Sequence, residues 1–400
     1  MVRKFVFNSI YSNVVILFIN TSITDAFFES IFIPPFLVSI PRLIINMCFI
    51  FLTLYYFLTS RIRLKKYGIT IAFLLFVGCT LIWTPDKFET LKLYINFLGP
   101  CAYFILLFLN VEKEKIIKIL YNYAILIIFS DILAVILPNK VGYMGEEGSA
   151  NVLRGINLSR SAMTVYINFC IFIFLYYFEL VKKVNYKEKY KVIALIIVCI
   201  FLILLSKSST GIITIALFIP LLKVVKRKKI SKVIVNFTII IGILLPVINF
   251  TSSAVNNIFT KILGRNITFS GRRYIWDYVI EKLTNNPIVG NGFNSTGFFL
   301  KEEVIPAYGR VAAHAHNGFL ELFLQTGLIG FILLISIIFI IHRFTFTFEK
   351  KEANLVRSYI VVVMIFNFME PYLINNVSVI TLWLPVIFII TLNYKKMREA

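Results

Sequence analysis

Apolar runs of about 17 to 25 residues recur from one end of the chain to the other, parted by short polar connections. The runs are continuous rather than alternating, which reads as helices and not as barrel strands. Backbone groups have no water to bond in lipid, so a helix that satisfies them internally is the element to expect. About twelve runs are of spanning length: 5–22, 42–58, 68–83, 91–109, 116–137, 161–181, 192–205, 210–225, 233–250, 317–341, 356–372 and 377–393. The first, second and eighth carry the weakest signal. The stretch "ESIFIPPFLVSIPRL" at 29–43 reads as re-entrant or interfacial, because its prolines interrupt a simple helix.

Two connections are long, 138–160 and 251–316, and long ordered loops usually carry function. Within the larger one, Trp276, Val279, Ile280 and Leu283 recur at i, i+3, i+4 and i+7, which predicts a short amphipathic helix on the membrane surface. Ser270 caps its start, Asn286-Pro287 stops it, and Gly290-Asn291-Gly292 is a turn. There are no duplicated halves, which argues against a transporter built from repeats.

The charge decides the orientation. A net charge of +21 invites a nucleic-acid reading, but its distribution opposes one. With the N-terminus inside, 27 of the 41 Lys and Arg fall in cytoplasmic segments, and half of the rest lie in the large outer loop. That asymmetry orients a membrane protein with both termini cytoplasmic, and "KVVKRKK" is its topology anchor. The first span reads as a retained anchor rather than a cleaved leader. The five cysteines fall inside predicted spans with no C-x-x-C pair, so no disulfide framework is expected. No phosphate-loop or dinucleotide fingerprint is present, and no cofactor is expected.

The candidate chemistry gathers on the outer side. Two of three histidines, His314 and His316, precede the tenth span. On a helix, His314, Asn317, Glu321 and Gln325 would form one polar stripe, with His316 beside it at the entry. Buried polar groups in a span serve either as interhelical glue or at a site. A histidine at an aqueous boundary suits proton transfer. A metal held by His314 and His316 would need further ligands such as Glu302 or Glu303, so no metal is expected. Arginines outside need a reason, and Arg154, Arg160, Arg265, Arg272, Arg273 and Arg310 all lie there. A diphosphate clamp suits Arg154 and Arg272, whereas surface charge suits Arg310. Lys207, in "LLSKSSTGI", is either a snorkelling lysine or another contact to an anion.

These residues carry a resemblance. "FSGRRYIWDYVIEKLTNNPIVGNGFNS" followed by "HAHNGFLELFLQTGLIGFILL" resembles the C-terminal signature of the O-antigen ligase and polymerase family (Wzy_C-type). The matching elements are Gly271-Arg272, Trp276, Pro287, Gly290, Gly292, His316-Asn317, Leu320-Glu321, Gly327 and Gly330. "LRGINLSRSA" resembles the family's earlier outer loop, and "NFMEPYL", with Glu370, its late polar span. The resemblance is specific over residues 265–330 and looser elsewhere. It departs at 208–211, where the family's arginine position is Ser209 and the nearest cation is Lys207; a lysine cannot reproduce a bidentate fork.

The resemblance implies a single all-α integral membrane domain over 1–400, GT-C-like, with a large catalytic loop outside. It implies an enzyme on the outer face of the bacterial cytoplasmic membrane. Its substrate would be an undecaprenyl-diphosphate-linked oligosaccharide, its reaction metal-independent and inverting, and its partners flippase and chain-length regulator proteins, with no nucleic acid. His316 would be the base, with Glu321 or Asn317 orienting it. Arg272 and Arg154, with Lys207 and Arg273, would hold the diphosphate, and His314, Arg160 and Glu370 would be secondary. Tyr274, Trp276 and Tyr308 would stack on sugar or anchor at the interface. Two reactions share the signature, repeat-unit polymerisation and ligation to lipid A-core. The Phe-, Ile-, Lys- and Asn-rich composition tips the expectation modestly to the polymerase. A lipid-linked oligosaccharide flippase is the reading from another class, and it would place its charges in mid-span rather than at one face.

Overall fold

The computed structural model describes residues 9–22, 34–59, 67–137, 142–146, 149–180, 186–247, 272–301 and 313–399. Ser270, Gly271, Arg265, Glu302, Glu303, Tyr308 and Arg310 lie outside the described residues. The chain is mostly helical. In order, the main helices are α1 Ile10–Thr21, α2 Phe36–Thr59, α3 Gly68–Cys79, α4 Lys87–Asn110, α5 Lys113–Ile136, α6 Arg160–Leu180, α7 Tyr186–Leu205, α8 Ser209–Val224, α9 Lys228–Leu244, α10 Arg272–Leu283, α11 Ser295–Phe299, α12 Gly318–Phe344, α13 Lys350–Phe366 and α14 Leu384–Glu399. Among the described residues, six helical segments are long and apolar enough to cross a membrane: Phe36–Thr59, Lys87–Asn110, Lys113–Ile136, Arg160–Glu179, Gly318–Thr347 and Asn376–Asn393. Ile10–Thr21, Gly68–Ile82 and Ser209–Val224 are shorter apolar helices. The protein is therefore an integral membrane protein.

The bundle has an inside and a rim. The α14 segment is 83% buried and α6 78%, whereas α2 is 17% buried and packs on α4 at the edge. In lipid, apolar surface gives little drive for helices to associate, so close packing and hydrogen bonds must do it. The centre supplies both. Phe73, Phe97 and Trp383 stack across three elements, and Tyr67 bonds Thr391 at 2.9 Å.

Four features depart from the sequence-based expectation. The first is α2, which runs through Pro41, where the prolines of 29–43 were expected to interrupt a simple helix. The 138–160 loop holds an antiparallel hairpin, β1 Tyr143–Glu146 with β2 Ser149–Leu153. The helix expected over 356–372 ends at Phe366, so Glu370 sits in a connection, 367–375, before α14. And α12 is broken inside, at Gly327, with φ 59° and ψ −165°.

That break has a partner. The Pro287–Gly292 segment lies against it and supplies the missing helical bonds. Asn291 N–H and Gly292 N–H donate to the Leu324 and Gln325 carbonyls at 2.8 and 3.0 Å. Leu328 N–H and Ile329 N–H donate to the Pro287 and Ile288 carbonyls at 2.9 and 3.1 Å. An unpaired buried amide would cost about 1–3 kcal/mol, so the break is stable only with this segment in place. Both glycines at the contact are required by space: a Cβ on Gly290 would fall 2.5 Å from Gly327 N, and one on Gly327 would fall 2.4 Å from Ile288 O.

Candidate active site

Several helix ends meet where α12 begins. Asn317 caps α12, its Oδ1 accepting from Leu320 N–H at 2.9 Å. Its Nδ2 donates to Gly242 O on α9 at 3.2 Å and to Phe368 O in the 367–375 connection at 3.1 Å. The asparagine is fully buried, with its bonds spent on backbone. It ties three elements together and turns away from the imidazoles. The expected polar stripe is thus shorter than the spacing suggested: His314 precedes the helix, Asn317 caps it, and Glu321 and Gln325 share its first turns.

Glu321 also serves the backbone. Its Oε2 accepts from Ala315 N–H at 2.7 Å, and its Oε1 accepts from Gln325 Nε2 at 2.6 Å. Ala315 O accepts from Trp276 Nε1 at 2.8 Å. The residue between the two histidines is therefore gripped from both sides. Trp276 is buried in this role, which corrects the sugar-stacking expectation for it; Tyr274 is half exposed. Gln325 extends the grip, its Oε1 accepting from Asn294 N–H at 3.0 Å.

The grip holds His316 in the left-handed region, at φ 50°, which costs a non-glycine residue on the order of 1 kcal/mol. His316 Nδ1 is buried and has no hydrogen-bond partner among the described residues. Burial first, then the charges of Arg272 and His314, push its pKa down to about 3. At neutral pH the ring is uncharged. His314 is exposed, its ring 6.4 Å from that of His316.

Arg272 opens α10 and reaches the 367–375 connection. Its Nη1 donates to Met369 O at 2.6 Å, and its Nη2 pairs with Glu370 Oε1 at 3.4 Å. Ser161 Oγ, in the first turn of α6, donates to the same Glu370 oxygen at 2.8 Å. Burial raises the Glu370 pKa, and Arg272, Ser161 and His314 pull it down. His314, His316, Arg272 and Glu370 thus form one electrostatic group. Arg273, the next residue, is turned away: it makes a bidentate pair with Asp277 and donates to Pro246 O.

The remaining cations flank α6. Lys207 is exposed at φ 52° in the turn between α7 and α8, and Ser208 beside it caps α8 and meets Thr164 of α6 at 3.4 Å. Arg154 follows β2, six residues before α6 starts with Arg160. Its Nε is buried with no hydrogen-bond partner among the described residues, and burial lowers its pKa. Sequence reasoning passed over Ser161 and Thr164, whose positions at a helix start gave no separate signal. Among the described residues, no group of three or more His, Cys, Asp or Glu could hold a metal.

An apolar groove of about 490 Å³ lies between α9, α10 and α12. It is lined by Ile243 of α9, Ile280 and Leu283 of α10, and Phe319, Phe323 and Phe331 of α12, among others. The α10 residues that line it, Ile280 and Leu283, belong to the end of the helix opposite Arg272.

Comparison with known proteins names the same family as the residues did. Residues 192–335 match the family described as O-Antigen ligase. The exopolysaccharide production protein ExoQ of Rhizobium meliloti (strain 1021) is 36% identical over 81 residues, 19% of each chain. A protein named as a polysaccharide ligase in Rickettsia bellii (strain RML369-C) is 30% identical over 117 residues, 27% of this chain and 28% of its own. Another from Rickettsia felis is 32% identical over 85 residues, 20% of this chain and 21% of its own. The chain matches less than a third of the length of each of these relatives.

Proposed function

We propose that this protein polymerises oligosaccharide repeat units linked to undecaprenyl diphosphate, on the outer face of the bacterial cytoplasmic membrane, by inverting glycosyl transfer. The observation that carries the reading is the pairing of an uncharged, unpartnered imidazole, His316, with the Arg272 guanidinium. One suits a base and the other a diphosphate leaving group. In this scheme the acceptor hydroxyl attacks the anomeric carbon of the growing chain. His316 takes the hydroxyl proton, the sugar–oxygen bond to the diphosphate breaks, and Arg272 stabilises the charge released. Arg154 and Lys207 extend the clamp, whereas Arg273 stays with Asp277. Asn317 and Glu321 act on the backbone that carries His316. The groove between α9, α10 and α12 suits the prenyl chain, since its walls are apolar. About twelve spans with both termini inside complete the arrangement.

The relative from Rhizobium meliloti, named for exopolysaccharide production, favours assembly of a free polysaccharide. Those named as ligases support the second reading, transfer of a finished chain to lipid A-core or another acceptor. Charges gathered at one end of the helices favour an enzyme over a flippase.

A deletion strain complemented with wild type or His316→Ala tests the proposal on a gel that resolves surface and lipid-linked glycans. Single repeats in the deletion, with a ladder restored by wild type alone, support the polymerase. Long chains left on the lipid support the ligase. Full restoration by His316→Ala at equal expression overturns the mechanism.

A further inference from the structure

The turn that carries Arg154 is built on one buried carboxylate. Asp131 lies in α5, near its end, and is fully buried. Its Oδ1 accepts from Ile156 N–H at 3.1 Å and from Asn157 Nδ2 at 3.5 Å. Between Arg154 and Ile156 stands Gly155, at φ 60°, so close that a Cβ there would fall 2.0 Å from the same oxygen. Asn157 N–H closes the turn on Arg154 O at 3.1 Å. The other side is fastened to the same helix: Arg154 N–H and Gly155 N–H both donate to Gly142 O, and Gly142 N–H donates to Ala134 O of α5. The backbone on both sides of Arg154 is therefore registered against the last turns of one membrane helix.

Asp131 is an expensive way to fasten a loop. Its Oδ2 is buried with no partner among the described residues, and an apolar residue of similar size would pack there without that penalty. What the carboxylate adds is a fixed acceptor for two donors of the turn. The side chain so placed is Arg154, whose own Nε is buried without a partner. A donor held in that state has its desolvation cost already met before an anion arrives.

We infer that Asp131 is a positioning residue for Arg154: it holds the Arg154–Asn157 turn so that the guanidinium stands ready for the substrate's diphosphate. The inference rests on the proposed clamp.

The test is a double-mutant cycle. Chain extension is measured by pulse-labelling the glycan in a deletion strain, with each variant at equal membrane abundance. Asp131→Ala is expected to lower the rate about 10-fold, and Arg154→Ala by at least as much. The double variant should be no slower than Arg154→Ala within about twofold, because the two act as one unit. Asp131→Asn keeps the Oδ1 acceptor and should stay within about threefold of wild type. A purely structural carboxylate would instead give additive losses. If Asp131→Ala does not accumulate, Gly155→Ala disturbs the same joint and should show the same non-additivity with Arg154→Ala. Asp131→Ala at wild-type rate beside an impaired Arg154→Ala overturns the inference and leaves the clamp standing. A double variant as slow as the product of the singles also overturns it. Arg154→Ala at wild-type rate overturns the clamp, and the inference with it.

Discussion

The two arginines proposed to meet the diphosphate are mounted in opposite ways. Arg272 is set among several elements: its guanidinium bonds Met369 O and Glu370, Glu370 bonds Ser161 of α6, and the neighbouring histidine segment is gripped by Trp276 and Glu321. Arg154 hangs on one helix, through Asp131 and Ala134 of α5. The first mounting draws on several elements and the second on one helix. Losing one bond should loosen Arg272 a little, whereas losing Asp131 removes one of the two ties that hold the Arg154 turn to α5. The difference also concerns charge. Arg272 has a carboxylate partner that an incoming anion must compete with, whereas Arg154 Nε has none to displace.

Breaking the assembly at its chemical centre should cost most. Arg272→Ala or His316→Ala should lower glycan extension by about 10²–10⁴-fold with the protein still in the membrane, read as loss of the ladder at equal expression. Next comes the joint behind it. Gly290→Val places a branched side chain against Gly327 in a left-handed position and should destabilise by about 2–4 kcal/mol, seen as a fall in the midpoint of thermal unfolding in detergent. The contrast in mounting is sharpened by Trp276→Phe, which keeps an aromatic ring, though a smaller one, and removes the bond to Ala315 O. About 1 kcal/mol, or a roughly fivefold slower rate, is expected. Smaller still is the effect of acid. The His316 pKa sits near 3, below the usual value near 6.5, so the imidazole remains uncharged as pH falls from 7 to 5. The rate should show no titration near 6.5, and a break there would overturn this account of the base. Smallest is Arg273→Ala, which loses an i, i+4 pair worth about 0.3–0.5 kcal/mol and should leave extension within twofold.

Much of this was legible in the chain. Continuous apolar runs announced the helices, and the spacing of Trp276, Val279 and Leu283 announced α10, whose buried face is those residues. The gathering of His314, His316, Arg272 and Glu370 followed the motifs. What the sequence hid was the direction in which side chains turn. Nothing in the spacing of Asn317 and Glu321 says that both bond backbone rather than an imidazole. The spacing put Trp276 on the apolar face of a helix but gave no sign that its indole would donate to Ala315 O. The break at Gly327 was hidden because the Pro287–Gly292 segment that makes it possible lies far away in the sequence. Asp131 did leave a signal, a single acid within the apolar run 116–137, and such residues seldom lie in a span without a role.

The joint between Pro287–Gly292 and α12 has a consequence for how such chains can change over time. Four backbone bonds fix one segment against the other with no side chain to adjust. Adding or removing a single residue between Pro287 and Gly292 would shift every donor past its acceptor at once. Loop lengths elsewhere can drift as new glycans are met, while this stretch must keep its count.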